Sequence, residues 1–131
     1  MRFAPQLYEE MIAHAREEAP IECCGMVASR DGEAVTVHRT RNAAASALRF
    51  EIDGQEAYRV TREIEQAELE LGAIYHSHTR TEPNPSETDI NFGNWWPGVL
   101  WIIVGLAAEE PDVRAFTIRD GEVTEAELVV T

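Results

Sequence analysis

Two apolar runs of strand length, one from Leu71 into His76 and one from Val99 to Leu106, constrain this chain more than any other feature. Both fall far short of the roughly 20 residues a membrane helix needs. They read as buried strands, and everything around them must supply cover. Leu7, Met11, Ile12 and Ala15 recur at helical spacing from Pro5 to Glu18, and Pro20 ends that helix. Gln55 to Leu69 is a second helix, with Ala57, Val60, Ile64 and Ala67 along one face. Gly25–Ser29 and Ala34–Thr40 read as a hairpin turning at Arg30-Asp31-Gly32. Asn42 to Leu48 reads as loop and Arg49 to Ile52 as a short strand. Thr79 to Pro85 is irregular, and Ser86 opens a short helix that gives out near Gly93. Val113–Ile118 and Val123–Val130 form a closing hairpin around Asp120-Gly121. This order implies an α/β (α+β) fold, a mixed curved sheet flanked by helices, with residues 1–131 as one domain.

The net charge of −13 over 131 residues repels phosphate backbones, so nucleic acid is not an expected partner. All 11 basic residues are arginine; no lysine amine is present for attaching a modifier. Cys23 and Cys24 are adjacent, which excludes a disulfide framework and suits a reducing compartment. The first residues turn polar at once, without the apolar core of a secretory signal. A soluble, cytoplasmic protein with no membrane partner is expected.

Chemistry concentrates in His76-Ser77-His78, seven further residues, Ser86, two residues, and Asp89. Side chains two apart on a strand share a face, so His76 and His78 can reach one metal while Ser77 points away to a packing or backbone-fixing role. Asp89 lies one turn into the helix that Ser86 starts. Ser86 and Asp89 also read as a capping box, and the two roles are compatible because the cap fixes where Asp89 points. Two imidazoles and a carboxylate around an open fourth position make a catalytic zinc site, one ion per chain. Cys24 lacks a signalled partner and reads as a small buried residue. His14 and His38 read as structural or surface residues, and Trp95-Trp96 as core or rim packing, with an aromatic wall beside the cleft as the alternative.

The pattern resembles the JAMM (MPN+) signature, an upstream glutamate followed by H-x-H-x7-S-x-x-D, and every element of it stands in this chain. Pro20-Ile21-Glu22-Cys23-Cys24-Gly25 is similar to the family's entry, where a glutamate precedes Cys-Gly at the first strand. The resemblance extends over nearly the whole chain and implies a cytidine-deaminase-like MPN fold. It implies that His76, His78 and Asp89 hold zinc. It also implies that Glu22 is the general acid/base and that Ser86 donates a hydrogen bond to the developing oxyanion. Thr79 departs from the pattern, since many members have proline directly after the second histidine; this looks closer to bacterial members acting on sulfur-carrier proteins (CysO-cysteine hydrolases).

Such enzymes usually cut the bond after the C-terminal Gly-Gly of a ubiquitin-like protein. The first expectation is therefore release of cysteine or a short peptide from a ubiquitin-like sulfur-carrier protein, which would be the partner. The first alternative is an isopeptidase stripping such modifiers from lysines, and the second a non-catalytic MPN scaffold, disfavoured by the complete motif. A RadC-like, DNA-associated relative is disfavoured by charge. A homodimer stays open.

Overall fold

A computed structural model describes residues 1–131. The elements in chain order are β1 (Arg2–Phe3), α1 (Pro5–Glu18), β2 (Cys24–Arg30), β3 (Glu33–Thr40), α2 (Gly54–Gln66), β4 (Glu70–His78), α3 (Glu87–Gly93), β5 (Leu100–Gly105), β6 (Asp112–Arg119), β7 (Glu122–Ala126) and β8 (Val129–Val130). All strands join one sheet in the order β7-β6-β5-β4-β2-β3-β1-β8. Pairing is antiparallel except β4–β5, β1–β3 and β1–β8. The mixed sheet and flanking helices match the architecture expected from the sequence.

The sheet is curled, and the chain itself requires it. β7 and β8 lie at opposite ends of the strand order, yet three residue steps join Ala126 to Val129. Three extended residues reach about 11 Å, whereas eight flat strands at ~4.8 Å spacing would set those edges about 34 Å apart. The expected hairpin arm from Val123 to Val130 is therefore divided. Its first half pairs with β6, and Val129–Val130 crosses to β1, with Phe3 opposite Val130.

Both faces of the central strands are covered. On one face Cys23, Val27, Ala73 and Tyr75, with Ile102 and Val104 of β5, meet α1 through Met11, Ile12 and Ala15. On the other, Cys24, Met26 and Ile74, with Trp101 of β5, join Val60 and Ile64 of α2. Each such large apolar side chain contributes about 1.5–3 kcal/mol by leaving water. His76 and His78 fall on the same face as Ile74, toward α2 and α3.

Three boundaries differ from expectation. α2 stops at Gln66 because Glu68 adopts φ 61° and Leu69 N–H turns back to the Ile64 carbonyl. β4 continues through His78 because Ser77 and His78 stay in register with Val104 and Gly105 of β5. Arg49–Ile52 is not a strand and keeps only an isolated bridge between Asn42 and Ile52. The Arg49 carbonyl and Glu51 N–H are satisfied by the Asn42 side chain, not by a neighbouring strand.

Behind the sheet, His14 is buried and its Nδ1 lies 2.7 Å from the Tyr75 hydroxyl. The Tyr75 ring reaches it by lying over Gly25, where any Cβ would overlap the ring. Burial, helped by Arg39, holds His14 below its ordinary pKa, against the opposing pull of Glu18, Glu17 and Glu10. Arg39 itself pairs with Glu10 and Glu17 of α1.

Gly25→Ala should cost about 1–3 kcal/mol by overpacking, read as a lower urea midpoint at unchanged slope. A histidine with a depressed folded pKa favours folding in its neutral form. That contribution is complete above the unfolded value, near ~6.5, and is lost as pH falls through the lower folded value. Between pH 7.5 and 5, wild type should therefore lose more urea-unfolding stability than His14→Gln.

Candidate active site

The β2–β4 register sets Cys24 opposite His76. Glu22, two residues before β2 pairs with that position, is thereby carried to the open end of the motif strand. Ser77 secures the junction from the other face: its hydroxyl accepts the Cys23 N–H at 2.8 Å, and its own N–H donates to the Cys23 carbonyl. This is the backbone-fixing role its alternation predicts. Thr79 adds a second stitch, donating its hydroxyl proton to the Pro20 carbonyl at 3.1 Å.

The third candidate ligand comes from α3. Ser86 caps this helix, its hydroxyl accepting the Asp89 N–H at 3.1 Å while Asp89 Oδ2 accepts the Ser86 N–H at 2.9 Å. This reciprocal box turns the Asp89 carboxylate back toward β4. Oδ2 lies 3.1 Å from Nε2 of both His76 and His78, and those nitrogens are 3.2 Å apart. Ligands of a tetrahedral zinc, bonded at about 2.0–2.1 Å, sit about 3.3 Å from one another.

Glu22 completes the cluster: one ligand atom each from Glu22, His76 and His78 lies within 4.8 Å of the others. All four side chains are at least 95% shielded from solvent. Glu22 Oε1 has no hydrogen-bond partner at all. An unpartnered buried carboxylate oxygen is costly unless a cation or a ligand meets it.

The tautomers carry the same message. The Glu82 carbonyl can only accept, so His78 Nδ1 carries the proton of that 2.9 Å hydrogen bond. In the neutral ring, Nε2 then presents a lone pair to Asp89. Burial opposes charge on His78, but the Asp89 carboxylate and the Glu82 carbonyl outweigh it and hold the pKa above the ordinary value. Burial pushes the Asp89 carboxyl up, yet hydrogen bonds from His76 and His78 win and hold it far below the usual range. For His76, wholly enclosed, burial wins and the pKa is depressed. Burial pushes Glu22 up to about 7, with His78 opposing and Asp89 assisting. The cluster is built to receive positive charge, and its nitrogen and oxygen donors suit zinc.

The remaining candidates fall outside this cluster. Cys24 is buried, and burial pushes its thiol up to about 11, leaving no thiolate to attack. His38 bonds to Thr36 and lies 3.9 Å from Glu63. Trp96 packs partly against the core, whereas Trp95 is 82% exposed. Two residues that touch the site, Asn42 and Phe50, carry no local signal in the sequence, because only the folded loop brings them to Glu22 and His76.

The family described as prokaryotic homologs of the JAB domain matches residues 4–119. The chain belongs to the JAMM/MPN family. Among JAMM relatives, it is 31% identical to a desampylase of Pyrococcus furiosus, covering 96% of this chain and 88% of that one. It is 35% identical to the CysO-cysteine peptidase of Mycobacterium tuberculosis, covering 91% and 83% respectively. The JAMM fold recurs in the solution structure of a Desulfitobacterium hafniense protein at 27% identity, TM-score 0.89, covering 99% and 92% of the two chains.

Ser86→Ala removes the cap oxygen and should cost about 1 kcal/mol, measured as a melting temperature lower by a few degrees.

Proposed function

We propose that this chain is a zinc peptidase that hydrolyses the amide bond after the C-terminal Gly-Gly of a ubiquitin-like sulfur-carrier protein, releasing cysteine or a short peptide. One observation carries the reading: a buried glutamate with an unpartnered oxygen faces two histidines that share one aspartate oxygen. The 35% identity to a CysO-cysteine peptidase supports the choice of substrate.

His76, His78 and Asp89 would hold the metal. Zinc bound there would supply Lewis acidity toward the scissile carbonyl and toward water. Glu22 takes the proton of the attacking water and passes it to the departing amine. Burial raises the pKa of this carboxyl above the ordinary value in the metal-free site, which makes it a stronger proton acceptor. Ser86 Oγ accepts the Asp89 N–H, so its own proton remains free to donate to the developing oxyanion. The burial of Glu22 and both histidines limits water to what the reaction consumes.

A second reading, removal of ubiquitin-like modifiers from lysines of target proteins, is supported by the 31% identity to a desampylase. Both readings use the same site and differ in the leaving amine.

The test is to incubate zinc-loaded protein with a carrier bearing a C-terminal cysteine and follow intact mass. Wild type should remove one cysteine residue. Glu22→Gln should retain zinc and slow turnover about 10²–10⁴-fold, whereas His76→Ala should lose both metal and turnover. Cleavage of lysine-linked conjugates alone would transfer the assignment to the second reading, and Glu22→Gln turning over normally would remove that residue from the mechanism.

A further inference from the structure

The loop between β3 and α2 meets the site at three points. Asn42, 9% exposed, is its hub. The side-chain amide donates to the Glu22 carbonyl and the Arg49 carbonyl, both at 3.0 Å, and more weakly to the Ser46 carbonyl. The Asn42 Oδ1 accepts the Ala44 and Glu51 N–H groups, both at 3.0 Å. Glu22 in turn donates its N–H to the Ser46 carbonyl at 2.9 Å. Both backbone polar groups of Glu22 are thus held by this loop. β2 pairs with its neighbours only from Cys24 onward, so no sheet ladder reaches Glu22.

The second contact is aromatic. Phe50 stacks on the His76 ring, centroids 4.4 Å apart and planes 21° from parallel. A metal-bound histidine ordinarily has its ring fixed by a hydrogen bond from its other nitrogen. His78 follows that rule through Glu82, but His76 Nδ1 is buried without a partner. Apart from its contacts with Asp89 and His78, the plane of His76 is therefore set by the stacked Phe50 ring. The third contact continues from the same ring: Phe50 also meets Phe92 on α3, the helix that carries Asp89, at 5.4 Å between centroids.

We infer that Asn42 and Phe50 are positioning residues, Asn42 holding Glu22 over the metal ligands and Phe50 holding the His76 ring in its ligating plane. The inference rests on the catalytic reading for its direction, yet its two arms can be read without any substrate. Asn42 bonds the backbone of the acid/base and touches no metal ligand, so its loss acts on turnover. Phe50 touches a ligand and not Glu22, so its loss acts on the metal.

The test compares Asn42→Ala, Asn42→Asp and Phe50→Leu with wild type. It uses three measurements: zinc affinity by competition with a chromophoric chelator, amide hydrogen exchange of the metal-free protein, and kcat and KM on the carrier adduct. Asn42→Ala should speed exchange at the Glu22 amide about tenfold while the Ser77 amide, on the β4 side of the junction, is unchanged. Zinc affinity should stay within about twofold, and kcat should fall roughly 10–10²-fold at near-constant KM. Phe50→Leu should weaken zinc about 10–10²-fold and leave the Glu22 amide as in wild type. Should Asn42→Ala fail to fold, Asn42→Asp carries the test, because it keeps the acceptor for Ala44 and Glu51 while the donors to the Glu22 and Arg49 carbonyls become a repelling oxygen. Exchange at Glu22 and Ser77 rising together would mark Asn42 as merely structural and overturn its arm. Unaltered zinc affinity in Phe50→Leu would overturn the other. If no carrier adduct is cleaved by wild type, the proposed substrate fails, while exchange and zinc affinity still decide the positioning roles.

Discussion

The antiparallel pairing of β2 with β4 is the constraint from which the site follows. Its register opposes Cys24 and His76, which fixes both the distance of Glu22 from the histidine pair and the face on which they meet. Strand alternation has period two, so a slip of one residue would send His76 and His78 toward α1 and bring Tyr75 and Ser77 into the cleft. The register is over-determined. Tyr75 must lie over Gly25 to reach His14, and Ser77 must meet Cys23 to satisfy its N–H. Both locks sit on the face away from the chemistry. The packing of one face thereby guarantees the geometry of the other.

The site is assembled from two halves of different construction. The histidine–aspartate half is the more regular: two residues at the end of a central strand, plus an aspartate aimed by a reciprocal cap. The glutamate half is irregular backbone, held by side-chain hydrogen bonds where the sheet ladder has ended. Such a division suits the proposed chemistry, in which metal ligands must not move whereas the acid/base must exchange a proton with two successive partners.

Much of this was legible in the sequence because it is local. The spacing of His76, His78, Ser86 and Asp89 encodes a strand, a loop and a capped helix, each with its own short-range rule. The first two helices followed from periodicity, the hairpin from β2 to β3 from its turn residues, and both central strands from uninterrupted apolar runs. What escaped was non-local. The strand expected at Arg49–Ile52 dissolves because one asparagine side chain, seven and nine residues away, takes the hydrogen bonds a neighbouring strand would have offered. The closing hairpin loses its outer half because the sheet curls far enough for the chain to cross to the other edge. No window of sequence contains that curvature. The stacking of Phe50 on His76 joins residues of two different elements and had no spacing to betray it.

The curl leaves β7 as a lateral edge, with an unpaired row of backbone donors and acceptors beside partly exposed Val123. A naked edge invites another chain to add a strand. Here Glu122 and Glu125 stand exposed on that short strand, on a molecule that is already strongly anionic. Two copies approaching edge to edge must bring those carboxylates together, so mutual repulsion opposes strand sharing near neutral pH. Near the isoelectric point of about 4.6 the net charge vanishes. Edge-to-edge association through this five-residue rim is then least opposed.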